Sequence, residues 1–250
     1  VLFVDVMRWA MSAGSVNSPF VELCRCGVAE DVKKELENRE FDPDRRDKNE
    51  VSPLHWACES GQVEVVKILL EDERVLPNAR DKYQRTPLHW ACWKRHYDIC
   101  SLLLQCPRVD INAEGEEKRR PIEIAMIHNA TSIISLLLED PRIDVGKGYE
   151  NRNLLHFACV LGSEAIVSVL AESGHFEDLQ LNEARTFIYD CHSDADTKAA
   201  IGFQLCQLCN CSAAELLREL PEKSDIEPIL VNMMTLNRSK RALPSDKASN

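Results

Sequence analysis

The chain has 250 residues, a formal net charge of −11 and an apolar content of 44%. It can bury the core of one or two domains, and no apolar run approaches the roughly 18–20 residues that cross a bilayer. The acidity is scattered along the chain, so there is no clustered basic face for a nucleic-acid backbone.

The first element is an apolar segment, residues 1–17, with "VLFVDVMRWAMSAG" at its start. It lacks the basic start and cleavage pattern of a signal peptide. A chain that starts at Val1 rather than Met is expected to be a fragment or a processed product. From residue 18 onward the sequence repeats itself. The anchors Ser18-Pro19, Ser52-Pro53, Thr86-Pro87, Arg120-Pro121 and Asn153-Leu154 recur every 34, 34, 34 and 33 residues. The connecting stretches "FDPDRRD" (41–47), "VLPNARD" (75–81) and "VDINAEG" (109–115) sit at one phase. So do the runs "VVKILL", "ICSLLL", "IISLLL" and "IVSVLA". Five copies in phase identify a repeat architecture.

One copy shows the physics. Thr86 is an N-cap whose hydroxyl can accept from N–H groups of the first helical turn. Pro87 suits the first helical position, where its missing N–H would have no partner in any case. Leu88, Ala91 and Cys92 fall on one helical face, and the small residues admit a second helix. That helix is "YDICSLLL", with Ile99, Leu102 and Leu103 facing inward. "QCPRVDINAEGEEKRR" then turns the chain back. A single copy has apolar surface on both sides, so neighbours must stack to bury it. The first copy carries charge in "GVAEDVKKELE" and reads as an N-terminal cap with one wet face. A worn sixth copy starts at Thr186 ("TFIYDC"). Beyond it, "TKAAIGFQLCQLC" and "SAAELLREL" predict two helices of a C-terminal cap. Ser212 followed by Glu215 is a capping box. From residue 221 the chain is polar and aperiodic, and disorder is expected.

The motifs "SPLHWA", "TPLHWA", "NLLHFA" and, less closely, "RPIEIA" resemble the ankyrin repeat family. That resemblance implies an all-α solenoid of stacked helix-turn-helix units with projecting β-turn fingers. The expected organisation is an N-terminal segment (1–17), five repeats and a degenerate sixth (18–190), a helical cap (191–220) and a tail (221–250). The period is one residue longer than the family's usual 33, with the extra residue before the finger in "DERVLPNARD". Two departures stand out. Arg120 and Glu123 replace the Thr and His of the motif, so the fourth repeat is expected to lack the local hydrogen bond. Gln84 and Lys118 stand where the finger usually has Gly, so looser turns are expected.

Chemistry-bearing residues are few. His55, His89 and His156 recur at one repeat position. A catalytic His occurs once beside a partner, so these read as structural, bonding the neighbouring hydroxyl and backbone. The cluster Cys206, Cys209 and Cys211, with Cys191-His192 upstream, lacks the second C-x₂-C of a four-ligand zinc site. Cys206 and Cys209 instead share a helical face with Leu205 and Leu208 and read as core. No Gly-rich phosphate loop, G-x-S-x-G or H-E-x-x-H occurs. No enzyme, metal or cofactor is expected. Eleven cysteines, an odd number, many in apolar surroundings such as Cys92, Cys100 and Cys159, predict buried reduced thiols. The compartment is then reducing, cytoplasmic or nuclear.

The expected function is a monomeric protein-interaction scaffold or adaptor whose partner is another protein, with no nucleic acid and no membrane insertion. The alternative is a regulatory or substrate-recruiting segment of a larger enzyme or channel. The resemblance puts binding on the concave inner-helix face and the finger tips. Trp93 and Lys94 follow the inward positions of their helix and turn away from the core. The equivalent pairs are Glu59-Ser60, Ile127-His128 and Val160-Leu161, with Tyr83 and Tyr149 on finger tips. Trp93, Ile127, Val160 and Leu161 are expected to form an exposed apolar row. Trp56, Trp90 and Phe157, just before the motif Ala, are expected to wedge between inner helices.

Overall fold

A computed structural model describes residues 18–146, 153–176, 178–218 and 223–242. Among these residues the chain is all-α, with no strand. The chain divides into two compact units, Val1–Asp144 and Val145–Asn250. No described helix is long and apolar enough to cross a membrane. The apolar segment 1–17 and Tyr149 lie outside the described residues.

The first unit stacks four helix pairs: α1 (Pro19–Cys26) with α2 (Ala29–Glu37), α3 (Pro53–Glu59) with α4 (Val63–Glu71), α5 (Pro87–Lys94) with α6 (Tyr97–Gln105), and α7 (Pro121–Ile127) with α8 (Thr131–Leu138). The first helices of the pairs pack on one another in order, and so do the second helices. Proline opens each inner helix, as its fixed φ allows. Leu54, Ala57, Cys58, Leu88, Ala91, Cys92, Ile99 and Leu103 are all buried in the core. Leu102 is half-buried, flanking the core rather than filling it. In α2 only Val32 and Leu36 are buried, as a charged first repeat requires.

Three fingers, residues 41–51, 75–85 and 109–119, connect the pairs. Each closes on a backbone bond: Asp47 N–H to the Val51 carbonyl, Asp81 to Arg85, and Gly115 to Arg119, at 3.1, 3.0 and 2.8 Å. The expectation of looser turns at Gln84 and Lys118 is overturned. The turns form with Glu50, Gln84, Glu117 and Lys118 in the left-handed region, φ 55–63°. Closure is thus kept, and the non-glycine residues carry the conformational cost. Gln84→Gly should therefore raise stability by up to about 1 kcal/mol in urea melts. A loss would show that the Gln84 side chain holds the finger.

Three arginines that the sequence reading passed over tie each repeat to the one before. The Arg74 guanidinium donates to the carbonyls of Leu36 (2.7 Å), Phe41 (2.9 Å) and Asn38 (3.1 Å), at the end of α2. Arg108 reaches Leu70 and Val75, and Arg142 reaches Leu104 and Val109. Each satisfies carbonyls at or just beyond the C-terminus of the preceding outer helix, where a cation is favoured. Asp72 and Asp140 orient Arg74 and Arg142 at 2.6 Å. Asn78 and Asn112 add a second ladder, each bonding the backbone of the next finger on both sides of its amide.

The second unit begins with α9 (Leu154–Leu161) and α10 (Glu164–Glu172), followed by α11 (Leu181–Asp190) and α12 (Ala195–Leu208). α11 packs on α9, and α12 packs on α10. Two readings are corrected here. Thr186 does not open the sixth copy. It sits inside α11, its hydroxyl donating to the Asn182 carbonyl, and the helix starts at Leu181 behind a Gln180/Glu183 capping box. The finger has shrunk: 8 residues separate α10 from α11, against 15 between α4 and α6's partner α5. The stretch after 221 is not without structure. α14 (Lys223–Ala242) is a helix, packed on α12 through the buried Ile226 and Leu230 one turn apart. The Ser212/Glu215 capping box forms as expected and opens the short α13 (Ala213–Leu216). Residues 243–250 lie outside the described residues.

Candidate functional site

The recurring histidines are latches. His89 Nε2 donates to the Arg119 carbonyl at 3.0 Å, and its Nδ1 accepts from the Thr86 N–H at 3.0 Å. A carbonyl only accepts and an N–H only donates, so the ring is the neutral Nε2–H tautomer. The Thr86 hydroxyl also lies 2.9 Å from Nδ1, turned toward the ring. His55 repeats the arrangement with Arg85 and Ser52. Burial pushes both imidazoles down to about 4. His156 differs, because its Nε2 meets the Asp190 carboxylate at 2.7 Å. The fourth repeat does not lack the local bond, contrary to the sequence expectation. Glu123 replaces His and accepts from the Arg120 N–H at 2.7 Å, while the Arg120 guanidinium lies 3.3 Å from the same carboxylate. Both residues are buried.

These latches leave a cleft of about 340 Å³ within the first unit, between α5, α7 and finger 3. Its apolar lining is Trp90, Trp93, Ile124 and Ile127, joined by His89 and His128. Arg85, Arg119, Glu116 and Glu117 form the walls. Trp93 is 42% exposed and Ile127 37%, whereas Trp90 is buried. Trp90 meets Trp56 and Trp93 edge-to-face at 5.8 and 6.4 Å, and its indole N–H donates to Asp81 at 3.1 Å. Trp90 and Phe157, expected to wedge between inner helices, are both buried, while Trp56 remains half-buried.

Of the residues singled out in the sequence, Trp93, Ile127 and His128 come together in this cleft. Lys94 lies over the Trp93 ring at 4.5 Å and pairs with Glu59 at 2.8 Å, so those two flank the tryptophan without lining the cleft. Tyr83 stands on finger 2 beneath the Arg85 and Lys82 cations, at 4.7 and 4.8 Å. Val160 and Leu161 hold the matching positions of α9 in the second unit, Leu161 exposed and Val160 half-buried. Sequence reading missed Arg85, Arg119, Glu116, Glu117 and Ile124. The signal for them was the finger phase, since Arg85 and Arg119 are 34 residues apart and each precedes an N-cap.

The cysteines Cys92, Cys100 and Cys159 are buried. In the C-terminal cluster only Cys206 is. Cys209 falls past the end of α12 and is half-buried with Leu208, so the expected shared core face stops at Cys206. The described residues hold no group of three or more side chains suited to a metal ion.

The sequence pattern of ankyrin repeats, in three copies, matches residues 20–115. Ankyrin repeats are generally protein–protein interaction modules. Among solved structures, the ankyrin repeat domain of Bcl-3, described as a unique member of the IkappaB protein family, is similar with a TM-score of 0.69. That likeness covers 80% of this chain and 89% of the Bcl-3 domain at 18% identity, so it concerns the fold alone. No curated protein matches the chain. Of the residues that line the cleft, Arg85, His89, Trp90 and Trp93 fall within the matched residues, and those of finger 3 and α7 lie just beyond residue 115.

Proposed function

We propose that the chain is a non-catalytic protein-binding scaffold that engages a partner protein through the cleft between α5, α7 and finger 3. The observation that carries this reading is Trp93, exposed in an apolar lining and bounded by charged finger residues. A solvated tryptophan in a concave, partly apolar site is the composition of an interface anchor. The thiols buried throughout the core fit a reducing compartment, cytoplasmic or nuclear.

A photo-crosslinking residue at Ile127 in the full chain should capture a defined protein in the native source. The same residue at the exposed Val63, on the outer helix α4, should not. Trp93→Ala should weaken binding of the captured protein by at least ~2 kcal/mol with the melting temperature nearly unchanged. Loss of stability with binding intact would make Trp93 a packing residue and end this reading.

A further inference from the structure

The cleft exists because two residues shrink together between repeats. Trp56, Trp90 and Ile124 share one helical position at intervals of 34, and Asp47, Asp81 and Gly115 share one finger position. In the middle repeat the two are joined, the Trp90 indole N–H donating to Asp81. In the next repeat Ile replaces the indole and Gly replaces the carboxylate. The edge-to-face series that runs from Trp56 to Trp90 therefore stops at an unfilled rung. Gly115 is required there, since a Cβ would come within 2.8 Å of His89 Nε2, the latch donor.

Charge at the mouth adds a second selection. Arg85 is paired with Asp81, and Arg119 with Glu117, each at 2.8 Å. Glu116 is exposed and makes no ion pair among the described residues. The uncompensated charge facing an occupant is thus negative.

We propose that the cleft seats one aromatic side chain of a linear segment of the partner, with a lysine or arginine beside it in that segment. The aromatic ring completes the vacant rung against Trp90 and Trp93, where edge-to-face contacts favour it over an aliphatic group. The neighbouring cation meets Glu116. At about 340 Å³ the cleft is near the small end of binding sites, which suits one anchoring side chain and excludes a whole helix of ~10–12 Å diameter.

This inference rests on the proposed binding role of the cleft and is tested separately from it. The full chain is titrated with three acetylated, amidated tripeptides, Lys-Trp-Lys, Lys-Ala-Lys and Glu-Trp-Glu, while the Trp93 indole N–H resonance, assigned with Trp93→Phe, is followed by NMR. Lys-Trp-Lys should bind at least tenfold more tightly than either of the others and shift the Trp93 signal. Ile124→Trp should fill the rung and abolish that binding. Should that variant not fold, Glu116→Gln at the exposed rim should reduce the preference for Lys-Trp-Lys over Glu-Trp-Glu. Equal binding of the alanine peptide, or binding that leaves the Trp93 signal unmoved, overturns the proposal. A partner captured at Ile127 without any tripeptide preference leaves the scaffold reading standing and removes this one.

Discussion

Acidification from pH 7 to pH 4 is expected to remove about 6 kcal/mol of stability, roughly 3 kcal/mol for each of His55 and His89. Both rings are neutral in the folded chain, with burial holding them at about 4 against an ordinary 6.5. The sign follows from proton uptake. Below pH 6.5 the unfolded chain binds two protons that the folded chain refuses, so unfolding gains with every step down. The loss begins near pH 6.5 and saturates near pH 4. In a protein whose total stability is typically about 5–15 kcal/mol, that is a large share. Burial raises the Asp44 carboxyl above the usual carboxylate range, so its earlier protonation in the folded chain offsets a part of this loss, whereas three arginine-paired carboxylates stay outside the window. The Arg74, Arg85 and Arg142 guanidiniums help hold Asp72, Asp81 and Asp140 below the usual carboxylate range, so their own contribution is lost only at lower pH. Urea melts at pH 7.5, 6, 5 and 4 measure the effect directly. Constant stability across that range would mean that the latches open or accept protons in the folded state.

Glu123→Ala should cost about 3–5 kcal/mol, because it leaves the Arg120 guanidinium buried without its carboxylate. It also removes the acceptor of the Arg120 N–H at the start of α7. Arg120→Thr combined with Glu123→Gln removes the charge, supplies a capping hydroxyl and keeps a carbonyl acceptor for that N–H. The double variant should recover more than half of the loss. Equal destabilisation by the single and double variants would rule out the unpaired guanidinium as the source of the loss, since the double variant carries none. The pair shows how the fourth repeat keeps the latch while abandoning its usual residues.

That exchange also marks where the sequence was legible. The inner-helix pattern Leu88, Ala91 and Cys92 is fixed by a 3.6-residue period against a single core, and each residue is buried. Trp93 and Ile127 were found as the positions that leave that face. The Arg120–Glu123 bond was not, because Thr and His are not the only residues that can donate and accept across three positions. The start of α11 was misplaced by trusting a fixed period where the finger had shortened. α14 was legible and passed over: Ile226, Ile229, Leu230, Met233 and Met234 fall at helical spacing, with Pro228 near the start masking the pattern, and packing on α12 buries Ile226 and Leu230. The walls of the cleft come from fingers, where Arg85 and Arg119 keep the 34-residue phase but Glu116 and Glu117 stand where the preceding finger has Lys82 and Tyr83.

The arginine clamps have a consequence for how the first unit is reached from the unfolded chain. Arg74, Arg108 and Arg142 bond carbonyls 33 to 38 residues earlier, always across a single repeat boundary. The polar ties between neighbours therefore require the closure of loops of one length only, whatever the number of repeats. Loop-closure entropy grows with the logarithm of loop length, so adding a repeat adds a further tie of the same cost rather than a longer search. A nucleus formed at any one boundary offers the next its template, and the unit can assemble in either direction along the chain.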